Sequence, residues 1–237
     1  MLYSRQHDLA FAHYPKTAGN SIGEWFRMSF DDAFLLDPIP DYNISHLPVR
    51  VSLERLRLLK SSSPFFPPFM NHLTHLFRPS NLPTFQRCST RIIGVVREPF
   101  EMLVSLYEFC RHYPFKIPLN PFIKSARDGT FPEFVHMAVV QRCLPSYDFF
   151  FDVGGPAWAL TRLIDFDYLS CGLSEVCTEF GIAGPTNLPH RNVGPRPNRD
   201  LRPYKQALGT LASDVENYYH WYYTQRSTGL FRPTSIC

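Results

Sequence analysis

Apolar and polar positions along this chain form two units in which a strand pattern runs through a polar turn into a helical pattern. Residues 8–13 are apolar except at their ends and predict a short strand, while residues 21–30 place apolar side chains at helical spacing. Residues 91–96 form a continuous run rich in β-branched side chains, which is typical of a parallel strand buried on both faces. A second helical pattern follows from Pro99, a residue suited to a first helical turn.

The remaining pattern predicts further helices and one more strand. We expect helices over 52–59, 131–144, 174–180 and 201–226, a strand over 162–169, and proline-rich loops over 64–83, 113–121 and 185–203. Strands that alternate with helices favour an α/β fold with a central, mostly parallel sheet flanked by helices. Since the sequence offers no point of division, we predict one domain over residues 1–237.

Composition narrows the class of protein. The chain has 237 residues, of which 44% are hydrophobic and 19% charged, values typical of a globular protein. The net charge of +3 does not indicate a nucleic-acid partner. With no apolar run long enough to cross a bilayer and no signal-like start, we expect a soluble, cytoplasmic protein, if Met1 is the true start.

The six cysteines show neither a C-x-x-C pair nor a metal-ligand spacing. We therefore interpret them as reduced thiols and expect no metal site. A bond between Cys171 and Cys177 is the alternative that the sequence leaves open.

The turn after the first predicted strand, residues 15–21, predicts an anion site. Amides at a helix start lack intrahelical acceptors and carry the positive end of the helix dipole. Lys16 adds a charge, and Thr17 and Ser21 add hydroxyl groups. The lysine comes first, without the earlier glycine of a Walker A loop, which argues against that class of phosphate binder. The alternative is that Asn20 or Ser21 only caps a helix that begins near Ile22.

A second candidate anion site follows the strand at 91–96. Arg97 stands at the strand end and Ser105 lies two turns into the next helix, so a guanidinium and a hydroxyl could meet one phosphate. The alternative is a structural ion pair of Arg97 with Glu98 or Glu101.

Together the two turns resemble the nucleotide-binding motifs of sulfotransferases that use 3′-phosphoadenosine 5′-phosphosulfate (PAPS). Residues 15–21 resemble P-K-[TS]-[GA]-[GS]-[TS]-[ST] except at Asn20, and residues 97–105 resemble R-x-P-x-x-x-x-x-S. The resemblance implies a P-loop-like three-layer fold, with PAPS as sulfate donor. It also implies a 5′-phosphosulfate site and a 3′-phosphate site. The residues concerned are Lys16, Thr17, Ala18, Gly19, Asn20 and Ser21 for the first, and Arg97 and Ser105 for the second.

Two fainter similarities extend the resemblance to carbohydrate-type and bacterial members of that family. Residues 71–74 resemble K-H-[AL]-[ST], and residues 188–192 resemble L-P-H-x-N. By this resemblance His72 is the base that takes the proton of a hydroxyl acceptor, with His75 as the alternative. Lys16 would stabilise the leaving phosphate oxygen. The same resemblance implies a small-molecule or carbohydrate acceptor and a reaction that needs no metal.

Two other functions stay open at this point. One is a nucleotide-binding regulatory protein on a degenerate sulfotransferase scaffold, an idea that Asn20 keeps open. The other is a P-loop kinase, which would need the Walker A glycine that this turn lacks. The sequence identifies neither the acceptor nor the oligomeric state.

Overall fold

A five-stranded mixed sheet forms the centre of the protein. The computed structural model describes residues 1–36, 46–58, 89–112, 121–155, 157–182 and 200–231. The strands are β1 (Leu2–Ser4), β2 (Leu9–Ala12), β3 (Phe34–Leu35), β4 (Arg91–Val96) and β5 (Thr161–Asp165), in the order β3-β1-β2-β4-β5. The pairs β2–β4 and β4–β5 are parallel, whereas β1 is antiparallel to both β2 and β3.

Ten α-helices are found in the described part of the chain. They are α1 (Gly19–Ser29), α2 (Val49–Arg55), α3 (Pro99–His112), α4 (Pro121–Asp128), α5 (Phe131–Val135), α6 (Tyr147–Phe150), α7 (Leu169–Phe180), α8 (Arg202–Leu208), α9 (Leu211–Tyr218) and α10 (His220–Ser227). A π-helical turn, His136–Val140, continues α5, and a 3₁₀ turn, Phe166–Tyr168, leads from β5 into α7.

Helices cover both faces of the sheet, because alternate residues of a strand point to opposite sides. Ile92 and Val96 of β4 join one apolar cluster with α3, α5 and the C-terminal helices. Ile93 and Val95 join the other cluster, with α1 and α7. The three-layer α/β arrangement is thus confirmed, and the finer likeness to P-loop proteins stays a prediction.

Both predicted strand-turn-helix units are present. The strand expected over 8–13 is β2, and the run at 91–96 is β4, buried along all but its first residue. The strand expected over 162–169 is confirmed for β5 but ends at Asp165, where the chain turns into a 3₁₀ helix. The helix expected over 174–180 begins earlier, at Leu169, and ends before Gly181.

Two long predicted helices are interrupted. The helix expected over 131–144 changes to π-helical geometry at His136, and the helix expected over 201–226 is three shorter helices. Gly209 has a φ of 53°, which lies outside the α-helical region, so α8 ends there. The sheet is also mixed rather than mostly parallel, because β1 runs against its neighbours.

The prediction that the cysteines are all reduced is wrong for Cys171, which is disulfide-bonded. Cys177 is free, so a bond between these two residues is also excluded. Disulfides are more common in oxidising compartments than in the cytoplasm. Cytoplasmic location therefore remains only a prediction. Within the described residues, we find no helix of the length and hydropathy that a bilayer crossing requires.

Candidate functional site

The carboxyl ends of β2, β4 and β5 meet at one edge of the sheet, and both predicted anion turns lie there. β2 pairs with β4 so that Ala12 lies opposite Gly94, and β4 pairs with β5 so that Val96 lies opposite Asp165. Residues 13–18, Arg97 and Phe166 therefore follow three neighbouring parallel strands. In open α/β sheets ligands bind at this edge.

The turn from β2 into α1 has an unusual backbone. Lys16 and Ala18 both have positive φ angles, 61° and 59°, although neither is glycine. Such conformations store roughly 1–3 kcal/mol each and persist where the surroundings impose them. Thr17 is buried between them, and its hydroxyl donates to the Tyr14 carbonyl at 2.8 Å. Because a hydroxyl has one proton, this bond leaves the Thr17 side chain able only to accept.

Helix α1 begins at Gly19, and its N-cap is Ala18. The alternative that Asn20 or Ser21 caps a helix starting near Ile22 is wrong, since both lie inside the first turn. The first intrahelical amide bond is that of Ile22 to the Ala18 carbonyl, at 3.1 Å. The amides of residues 19–21 precede it and have no intrahelical acceptor. Asn20 is exposed, whereas Ser21 is buried.

His13 lies directly against Gly19, which explains the glycine at this position. A Cβ built on Gly19 would lie 1.6 Å from His13 Nε2. The ring also packs on His46, with centroids 4.5 Å apart, and His46 Nδ1 lies 3.0 Å from the His13 carbonyl oxygen. Burial, and then the His46 ring, lower the pKa of His13 well below its ordinary value. Both contacts support a structural role for His13.

Lys16 is a largely buried cation that packs on an aromatic ring. Its Nζ lies 4.4 Å from the centroid of Phe109, within the range of a cation–π contact. Burial, and then the nearby charge of Arg97, lower the pKa of Lys16. Among the described residues it forms no ion pair. A bound anion would raise the pKa of Lys16 again, because an opposite charge favours the protonated form.

Arg97 is held by an acid and an aromatic ring but keeps one donor unused. Its Nη2 lies 3.3 Å from Glu101 Oε2, and its guanidinium carbon lies 4.5 Å from the Phe166 ring centroid. Its Nε is buried without a hydrogen-bond partner within the part of the chain described. The ion pair that we considered as an alternative therefore exists with Glu101. Glu98 instead accepts the Glu101 N–H at 2.8 Å, at the start of α3.

Tyr147 holds the backbone of Arg97 through two hydrogen bonds. Its hydroxyl donates to the Arg97 carbonyl at 2.8 Å and accepts the Arg97 N–H at 3.2 Å. Burial raises the pKa of Tyr147 well above its ordinary value, so the phenol stays protonated. This residue belongs to a buried tyrosine cluster in which the Tyr14 and Tyr219 hydroxyl oxygens lie 3.1 Å apart.

Ser105 lies half-buried on α3, and Phe109 follows one turn later on the same face. No hydrogen bond of the Ser105 hydroxyl is seen among the described residues. The helix thus presents a hydroxyl and an aromatic ring along one side, and Lys16 Nζ lies over that ring.

Sequence reasoning did not identify four residues that shape this edge: Phe109, Phe166, Tyr147 and His46. Only Phe109 had a usable signal, because it stands four residues after Ser105 on the predicted helix. The predicted base His72, its alternative His75, and the segments 71–74 and 188–192 lie outside the described residues. Within those residues, no group of three or more histidine, cysteine or acidic side chains could hold a metal ion.

Comparison of the chain with models of protein families, with curated proteins and with solved structures finds no match in any of the three. The case for a function therefore rests on the residues at the carboxyl edge of the sheet.

Proposed function

We propose that this protein is a PAPS-dependent sulfotransferase that moves a sulfuryl group to a hydroxyl acceptor, with a carbohydrate among the acceptor classes. The proposal combines the motif resemblance of residues 15–21 and 97–105 with their placement at adjoining strand ends. It assigns one anion site to each turn.

The observation that carries the proposal is the pair Lys16 and Arg97. Two cations lie close enough for the charge of Arg97 to lower the pKa of Lys16. Of these two cations, Arg97 has a carboxylate partner among the described residues and Lys16 has none there. Bringing like charges together in a partly buried place is unfavourable unless an anion joins them. A ligand with two separated phosphate groups fits this arrangement.

The proposed roles follow the geometry. Lys16 and the amides of Gly19, Asn20 and Ser21 would bind the 5′-phosphosulfate at the positive end of α1. Thr17 and Ala18 would shape the turn through their backbone, since the Thr17 hydroxyl already donates its proton to the Tyr14 carbonyl.

The 3′-phosphate would lie at the other turn. Arg97 offers its unused Nε–H there, and Ser105 offers a hydroxyl from α3. The Phe166 ring packs against the guanidinium, whose carbon lies 4.5 Å from the ring centroid. A planar fork in a fixed orientation suits a phosphate better than a mobile lysine would.

The chemistry is an in-line displacement. The acceptor oxygen forms a bond to sulfur, the bond between sulfur and the bridging phosphate oxygen breaks, and that oxygen keeps the electron pair. Lys16 and the first amides of α1 would stabilise the new negative charge. The acceptor proton would pass to a histidine, for which the resemblance indicates His72.

Calorimetric titration of adenosine 3′,5′-bisphosphate, the desulfated product, tests the two anion sites. Lys16→Ala and Arg97→Ala should each weaken binding by about 10-fold to 150-fold, the equivalent of the roughly 1.5–3 kcal/mol of a charged hydrogen bond. Transfer of labelled sulfate from PAPS to a panel of hydroxyl acceptors then tests the reaction itself.

The chain offers a matched control for each substitution. Lys205 also lies over a phenylalanine ring, 5.4 Å from the Phe100 centroid, and Arg91 lies 5.0 Å from the Phe180 centroid at the opposite end of β4. Lys205→Ala and Arg91→Ala should leave the affinity within about twofold, since neither lies at a proposed phosphate site. Equal losses in all four variants would contradict the site assignment. Tight binding with no transfer would favour the nucleotide-binding regulatory protein instead.

A further inference from the structure

Helix α10 contacts the turn that carries Arg97. The Tyr223 hydroxyl donates to Glu98 Oε1 at 2.8 Å, and the other oxygen of Glu98 accepts the Glu101 amide. Burial, and then the Glu98 carboxylate, raise the pKa of Tyr223, so the phenol keeps the proton that it donates. The residue next to Arg97 is therefore tied to the C-terminal part of the chain, 125 positions away.

The same helix also holds the turn after β5. Arg226 lies within ion-pair distance of two carboxylates on either side of Phe166: its Nη2 is 3.0 Å from Asp167 Oδ2, and its Nε is 3.6 Å from Asp165 Oδ2. Its Nη1 donates to the Tyr222 hydroxyl at 2.9 Å. Because Asp165 is buried, loss of its pairing with Arg226 would destabilise the fold more than loss of an exposed ion pair.

These two attachments meet at the guanidinium of Arg97. Phe166, between the two carboxylates that Arg226 binds, stacks on Arg97 at 4.5 Å. Glu98, which Tyr223 binds, is the next residue along the chain. One face of α10 thus reaches the backbone neighbour of Arg97 and the ring that lies on its side chain.

We infer that α10 is a brace that sets the orientation of Arg97, with Tyr223 and Arg226 as positioning residues for the 3′-phosphate site. The inference rests on the proposed function, because it concerns the same anion site. Its content is distinct: the ability of this protein to distinguish a 3′-phosphate depends on side chains that do not touch the ligand. Loosening the brace leaves the 5′ site at Lys16 unchanged, since that site lies on the β2–α1 turn.

The test compares two probes, adenosine 3′,5′-bisphosphate and adenosine 5′-monophosphate, by calorimetry. Their affinity ratio isolates the contribution of the 3′-phosphate. Tyr223→Phe removes one hydroxyl and should lower the ratio by about tenfold, or about 1.4 kcal/mol, while the affinity for the monophosphate stays within about twofold. Asp167→Asn changes an exposed carboxylate and should also lower the affinity ratio, while the buried Asp165 keeps Arg226 as its partner.

Tyr204→Phe is the matched control. Tyr204 also lies on a C-terminal helix and donates to a glutamate of α3, at 2.6 Å from Glu108 Oε1, but this contact lies three turns away from Arg97. Its loss should leave the affinity ratio unchanged. Melting temperatures of all variants check that each is folded.

The outcomes separate the inference from the function. If wild type prefers the bisphosphate and Tyr223→Phe keeps that preference as Tyr204→Phe does, the brace is refuted while the proposed function stands. If wild type shows no preference for the bisphosphate, the 3′-phosphate site itself is wrong. A selective loss in Tyr223→Phe and Asp167→Asn supports the brace.

Discussion

Replacing Gly19 by alanine should destabilise this protein, although a change from glycine to alanine stabilises most helices. An alanine in place of glycine usually favours a helix by up to about 1 kcal/mol. Here the added methyl group would lie 1.6 Å from His13 Nε2, 1.8 Å from Cδ2 and 2.2 Å from Cε1. Ordinary contacts between such atoms are roughly 3.5–4.0 Å, so the ring must move by about 2 Å.

The ring of His13 has little room for that movement. It packs on His46 at 4.5 Å between centroids and on Phe11 at 5.9 Å, and His46 is itself held to the His13 backbone. Overpacking of this kind destabilises a fold by about 1–3 kcal/mol. We therefore expect Gly19→Ala to reduce the free energy of unfolding by about that amount, measured by urea denaturation.

Two further variants test whether the contact of residue 19 with the His13 ring causes this loss. Gly23→Ala is the control, because a Cβ at Gly23 of the same helix meets its nearest neighbour, Leu2 Cδ1, at an ordinary 3.4 Å. It should be neutral or stabilising. His13→Ala should remove most of the loss caused by Gly19→Ala, with a coupling of at least about 1 kcal/mol in the double-mutant cycle. Equal stabilities of Gly19→Ala and Gly23→Ala, or no coupling with His13, would show that the described packing is wrong.

Three other changes have defined expectations. Tyr147→Phe leaves the N–H and carbonyl of Arg97 without the hydroxyl that both contact. Urea denaturation should therefore show a free energy of unfolding lower by about 1–3 kcal/mol. A change below about 0.5 kcal/mol would contradict the assigned hydrogen bonds. Glu101→Gln removes the carboxylate that lies 3.3 Å from Arg97 Nη2 and competes with a phosphate for it. Because a part-exposed ion pair contributes at most about 1 kcal/mol, calorimetry should show the bisphosphate binding up to about fivefold more tightly. Weaker binding would contradict that competition. Stability should also fall as pH rises above 10, because burial raises the pKa of Tyr14 and Tyr219 above the ordinary value of 10.0. Unfolded phenols then lose protons that the folded ones keep, so a denaturation midpoint that is constant up to pH 11 would oppose this.

The strand-turn-helix units could be predicted because their patterns are long and mutually consistent. The run Arg91–Val96 is apolar after its first residue and rich in β-branched side chains, and Pro99 marks the helix start that the structure has. β1 and β3 have three and two residues, which is too short for any periodicity to be recognised. β1 forms by pairing with β2, and β3 by pairing with β1, so both depend on tertiary contacts.

Helix interruptions were harder to predict than helix positions. The apolar pattern continues across Gly209, but its positive φ ends α8, and α9 and α10 then meet near Tyr219. Tyr219 at that junction and Tyr222 of α10 are both buried in the core.

For the candidate site, local sequence located the turns but not what surrounds them. Lys16 and Arg97 stand where the strand ends predict. The ring under Lys16 comes from α3 and the ring on Arg97 from the turn after β5, contacts between distant segments that no local pattern contains. The left-handed backbone of Lys16 and Ala18 was equally hidden, because neither residue type favours it.

A crystal structure with adenosine 3′,5′-bisphosphate bound would show directly where each phosphate lies. We expect the 5′-phosphate at the start of α1, within hydrogen-bond distance of Lys16 Nζ and the amides of residues 19–21. We expect the 3′-phosphate on Arg97 and Ser105. A nucleotide bound elsewhere, or one with either phosphate away from its assigned turn, would contradict the site assignment.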